Sequence, residues 1–263
     1  MSHMRALILT VILLGAFLAA PNAYAHRPEQ GNPDGVTLIP SPTTSYAYYQ
    51  EIQEPGQLHV YQFEGQAGQF FHAGINIPQL NGLEDYGVSL ALLGPGLPPL
   101  PEDQLPLRAA DDGHDHHHSP LQVFPDLHLD SAGGLVAESR KSEDFHEPFT
   151  QTNYWGRQAI DLDLPQSGTY YLLIWNPDGD VGKYVLDTGT EEVFGSADLF
   201  RFPLWWLNTR LYFEQAPQII GVVALLVSAL FGWVLYRRRR KTTAERPAGE
   251  KGRLPQSMAE QQP

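Results

Sequence analysis

The chain has 263 residues, with 22 proline, 24 glycine and no cysteine, and 17 Lys/Arg against 30 Asp/Glu give a formal net charge of −13. Without cysteine there is no disulfide scaffold, thiol nucleophile or zinc–thiolate site, and the acidic balance excludes a protein that neutralises nucleic-acid phosphates. A 42% hydrophobic fraction is that of a globular chain, neither disordered nor polytopic.

In chain order, residues 1–25 come first. Arg5 precedes an apolar run from Ala6 to Ala20, and the segment closes on Ala23-Tyr24-Ala25. A basic start, a short apolar core and an Ala-x-Ala end describe a secretory signal peptide cleaved after Ala25. Residues 26–44, with Arg27-Pro28 and loop-like residues to Gly35, read as a flexible N-terminal segment. Cleavage would make His26 the new N-terminus, whose α-amine and imidazole together chelate copper in a histidine brace. A brace needs a second histidine, and His59 or His72 lies on an early strand. His72 alternates with Phe71 and Ala73, which equally describes an outward-facing histidine on a sheet.

Residues 45–195 alternate in short apolar runs separated by Pro and Gly, which predicts a β-sandwich. The expected strands are Tyr46–Ile52, Leu58–Glu64, Gln69–Ile77, Gly87–Leu93, Gly134–Glu138, Gln158–Leu164, Thr169–Trp175 and Lys183–Asp187. Alternation as in Phe71/Ala73/Ile75/Ile77 suits antiparallel sheets with one buried face. Tyr170-Tyr-Leu-Leu-Ile-Trp175 is apolar on both faces, as a central strand is.

A long loop, 94–125, interrupts this pattern. It carries His114, His116, His117 and His118 beside Asp111, Asp112 and Asp115. Neutral imidazoles favour Cu(II), Ni(II) or Zn(II), so these four histidines are the candidate metal ligands, with His26 as a further one. Their low-complexity spacing equally describes a solvated polar loop. Asn176, Asp178 and Asp180 could offer oxygens to Ca²⁺, but the same residues make a turn between strands, and the turn is the reading taken here. No nucleophile elbow, zincin helix, Walker loop or dinucleotide fingerprint occurs, and Glu138, Glu143 and Asp144 read as loop carboxylates, so no catalytic residue is assigned.

The stretch Leu164-Pro-Gln-Ser-Gly168-Thr-Tyr-Tyr-Leu172, followed by Asn176–Asp180 and Gly182-Lys-Tyr-Val-Leu186, resembles the end of a bacterial pre-peptidase C-terminal-like domain. Tyr61-Gln-Phe63-Glu-Gly65 through Gly68-Gln69 is similar to the early hairpin of such domains. Over residues 45–190 this resemblance implies an all-β, jelly-roll-like sandwich on an exported protein. It also implies a non-catalytic module used for binding or targeting.

Residues 196–217 hold Phe200, Phe202, Trp205, Trp206, Tyr212 and Phe213 between Arg201 and Arg210. This aromatic juxtamembrane segment reads either as a helix lying on the outer leaflet or as a packed linker helix. Residues 218–236 read as one transmembrane helix contacting lipid, with no charge from Ile219 to Tyr236 and a length of ~27 Å at 1.5 Å per residue. Ala224, Ser228 and Gly232 recur every four residues, a spacing that suits homodimerisation.

Residues 237–263 open on Arg237-Arg-Arg-Arg240-Lys241, which marks a basic cytoplasmic tail. Residues 26–217 hold 8 Lys/Arg and 27 Asp/Glu, a balance of −19, while 237–263 hold 8 and 3, a balance of +5. With no cysteine and no Asn-x-Ser/Thr sequon, the chain suits a bacterial inner membrane with its large domain in the periplasm or outside. Three functions follow as expectations: a non-catalytic binding module, a Cu/Zn-handling protein, or an accessory subunit of a membrane enzyme complex.

Overall fold

The computed structural model describes residues 26–100, 133–137, 143–147 and 151–244. Eleven strands run in this order: β1 (Arg27–Glu29), β2 (Val36–Leu38), β3 (Tyr46–Ile52), β4 (Leu58–Gly65), β5 (Phe70–Pro78), β6 (Ser89–Gly94), β7 (Gly133–Val136), β8 (Glu143–Glu147), β9 (Thr152–Asp163), β10 (Gly168–Trp175) and β11 (Gly182–Thr188). Two helices follow, α1 (Asp198–Tyr212) and α2 (Ala216–Ala244). One sheet has the order β1-β3-β11-β5-β9-β8 and the other β2-β4-β10-β6-β7.

Alternation decides which residues meet between the sheets. Tyr46, Tyr48 and Ile52 of β3, Phe71, Ala73, Ile75 and Ile77 of β5, and Tyr184 and Leu186 of β11 point inward from one sheet. They meet Tyr61 and Phe63 of β4, Leu90 and Leu92 of β6, and Tyr170, Leu172 and Ile174 of β10. Phe63 stacks between Phe71, at 4.4 Å, and Tyr170, at 5.4 Å. The other face of β10 is apolar as well: Leu173 and Trp175 join Val60, Ala91 and Leu93 in a second cluster outside the five-stranded sheet. β10 is therefore the central strand that its two-sided apolarity predicts.

The all-β sandwich is the expected one, with two differences. Residues 26–44, expected as a flexible segment, contain β1 and β2. These pair parallel with β3 and β4, so each sheet is mixed along one edge. Strands of three residues, the first with Pro28 at its centre, carry too little alternation to be read in sequence. β9 also begins earlier than expected, at Thr152, because a bulge opposite Ile75/Asn76 lets Tyr154–Arg157 continue the pairing out of phase.

The outer face of the six-stranded sheet is partly covered by α1. Phe213 packs with Ala47, Tyr154 and Val185, and Tyr212 and Tyr49 border them. The Tyr212 hydroxyl lies 2.7 Å from the carbonyl of Tyr184 and 2.8 Å from that of Gln50. α2 belongs to a separate unit beginning at Gln215. Its stretch Ala216–Arg239 is long and apolar enough to cross a membrane.

Candidate functional site

Side chains from three neighbouring strands converge on the outer face of the six-stranded sheet. His72 on β5 lies opposite Asp161 on β9, and Asp187 on β11 lies opposite Gly74. The His72 Nδ1–H donates to Asp161 Oδ1 at 2.6 Å and its Nε2–H to Asp187 Oδ2 at 2.7 Å. Asn76 Nδ2 donates to the other oxygen, Asp187 Oδ1, at 2.6 Å. Gly74 makes room for this arrangement, since a Cβ there would sit 2.7–2.8 Å from both Asp187 oxygens.

Burial alone would favour neutral His72, but the hydrogen bonds and charges of Asp187 and Asp161 outweigh it and raise its pKa to about 9. Burial likewise opposes charge on Asp187, yet His72 and the nearby His26 hold its pKa below the usual carboxylate value. At neutral pH the cluster is thus an imidazolium clamped by two carboxylates. Both ring nitrogens carry protons, so His72 offers no lone pair to a metal and no base to a substrate.

His59 has the opposite environment. It is 2% exposed, faces the inter-sheet core, and its Nδ1 lies 2.7 Å from the Tyr184 hydroxyl. Burial lowers its pKa to about 4, so the ring is neutral. Burial also raises the Tyr61 and Tyr184 hydroxyls, which lie 3.4 Å apart, well above the usual tyrosine value. This is a hydrogen-bonded core cluster without access to solvent.

His26, expected at a loose terminus, is docked. The Arg27 amide donates to Ser45 O at 2.9 Å, and His26 Nδ1 lies 2.7 Å from Ser45 Oγ. The two histidines considered as its brace partner are otherwise engaged: His59 is sealed in the core and His72 is held at both ring nitrogens. Among the described residues, no group of three or more His, Asp or Glu is placed to hold a metal ion. His114, His116, His117 and His118 lie outside the described residues, as does the signal peptide.

The Asn176–Asp180 stretch is a turn. Asn176 Oδ1 accepts from the amides of Asp178, at 2.9 Å, and Asp180, at 2.7 Å, and Gly179 has φ +78. The side-chain oxygen that would face a cation is therefore committed to the loop backbone.

No family model matches the chain, and no curated protein matches it. Solved structures similar to it include PliG from Aeromonas hydrophila, a periplasmic inhibitor of g-type lysozyme. That likeness is at 11% identity and a TM-score of 0.33, over 64% of this chain and 100% of that one. A pre-peptidase C-terminal domain, the family whose motifs the sequence resembles, is also among them. It comes from a Bacillus anthracis collagenase, at 11% identity and a TM-score of 0.30, over 62% of this chain and 98% of that one. CorA, a surface-associated copper-binding protein of Methylomicrobium album BG8, is similar at 9% identity and a TM-score of 0.27, over 62% and 100%. At such identities and scores, none of them bears on what this chain binds.

Proposed function

We propose that the chain is a single-pass bacterial envelope membrane protein whose exported sandwich is a non-catalytic binding module. One observation carries the reading. Where described ionisable side chains converge, at His72 with Asp161 and Asp187 and at His59 with Tyr184, hydrogen bonds lock them into contacts that hold the fold. On this reading, the sandwich works through its outer surface. The anchor is α2, ended by Arg237–Lys241, whose charge favours the cytoplasmic side. Its Ala224, Ser228 and Gly232 suit a homodimer in the bilayer, and a protein partner of a larger membrane complex is the other expected contact.

Cross-linking in intact cells, followed by extraction of the full chain in mild detergent, tests this reading. A partner or second copy in fixed ratio to the chain is expected. Recovery of an unliganded monomer alone would contradict it.

The second reading, Cu or Zn handling, rests on the composition of the 114–118 cluster. It predicts a sub-micromolar Cu(II) or Zn(II) site by calorimetry on the full chain, lost when His114, His116, His117 and His118 are changed to Ala. No such site in the wild type removes that reading.

A further inference from the structure

We infer that α1 is a second membrane contact, a built-in shelf on the sandwich whose outer face lies in the headgroup region of the bilayer. The inference rests on the reading of α2 as a membrane span. Phe200, Leu204 and Leu211 are 83%, 62% and 57% exposed, and Leu207 is partly exposed between them. At 100° per residue these four fall within an arc of roughly 60°, a stripe about 16 Å long. A helix segment between strands and solvent ordinarily places polar residues there.

The opposite face is committed to the sandwich. Asp198, Thr209 and Phe213 are buried on it. Asp198 Oδ2 accepts from the Gly195 amide at 2.7 Å, and Asp198 Oδ1 lies 3.4 Å from Arg27 on β1. Tyr212 ties the other end to β3 and β11 through the carbonyls of Gln50 and Tyr184. α1 therefore exposes its apolar stripe as a rigid part of the sandwich.

Two observations point to lipid as the occupant: the short tether to α2 and the exposed Arg201. Only Phe213, Glu214 and Gln215 separate α1 from α2, a tether of at most ~14 Å, which limits how far Leu211, at the near end of the stripe, can lie from the start of the span. Trp205 and Trp206 lie on the packed side, half-buried with Arg27 and Arg210 over their rings at 5.8 and 5.7 Å, so the helix keeps its largest side chains against the sandwich and turns the stripe outward. Arg201, with its side chain 55% exposed at the edge of the stripe, has the length to reach lipid phosphates. The stripe itself contains no charge. An interfacial helix of this kind buries its apolar face ~5–10 Å below the headgroups.

The absence of cysteine makes the test clean. Single variants Leu204→Cys, Leu207→Cys, Glu54→Cys and Leu226→Cys of the full chain would be labelled with an environment-sensitive fluorophore. They would then be reconstituted in phosphatidylcholine/phosphatidylglycerol vesicles. Labels at 204 and 207 are expected to be quenched by shallow nitroxide lipids at least about twofold more than the label at 54, and to resist aqueous iodide. The label at 226 should respond to deep nitroxides. Quenching at 226 but not at 204 or 207 overturns the shelf and leaves the anchor standing. Quenching at none of the three overturns the anchor, and the shelf with it. Shielding of 204 from both iodide and lipid nitroxides assigns the stripe to a protein and likewise overturns the inference.

Discussion

His59 and His72 occupy neighbouring parts of one sandwich and are driven to opposite protonation states. His72 has a folded pKa raised to about 9, so its contribution is complete below 6.5 and is lost as the pH rises through 9. His59 has a folded pKa lowered to about 4. Its unfolded form takes up a proton as the pH falls below 6.5, and stability is lost between 6.5 and 4. Taken by themselves, these two groups favour the folded sandwich most near pH 6.5, each flank costing up to ~3 kcal/mol across its window. His72→Gln is expected to flatten the alkaline flank and keep the acid one, measured by denaturant unfolding at a series of pH values. An unchanged alkaline loss in that variant would contradict the clamp. Alternation with Phe71 and Ala73 makes the outward direction of His72 legible in the sequence. Its two carboxylates are not, because Asp161 and Asp187 stand 89 and 115 residues away.

At the scale of elements, legibility follows the length and burial of each strand. β3 is found residue for residue, and β4, β5, β6, β10 and β11 to within a residue or two, because each buries an alternating face in the common core. β1, β2 and β8 are not legible. The first two are short and are held by parallel pairing to distant strands, and Glu143–Glu147 is a polar strand at a sheet end. For α1, composition left a packed helix and an interfacial helix equally open. The structure shows one face packed and the other bare, a distinction made by contacts that aromatic content alone does not encode. Tyr212→Phe is expected to remove the donor to Gln50 O and Tyr184 O and cost about 1–2 kcal/mol. Hydrogen exchange would report it as lowered protection across Asp198–Tyr212 with β10 unchanged. Equal loss in both elements would mean that the helix is not separately held.

For the whole molecule, the net charge of −13 is the sum of two unlike parts. An acidic region of −19 lies before an uncharged run, and a basic region of +5 follows it. That segregation, a helix long and apolar enough to span, and a sandwich in which His59 and His72 are held in structural contacts are consistent with the proposed exported binding surface held at a membrane. Orientation is the claim on which the rest depends, and accessibility in spheroplasts tests it most directly. Glu54 is exposed on the sandwich, and Ser257 lies in the basic tail. A membrane-impermeant maleimide should label Glu54→Cys in intact spheroplasts and Ser257→Cys only after permeabilisation. Labelling of Ser257→Cys from outside, with Glu54→Cys protected, would contradict the account.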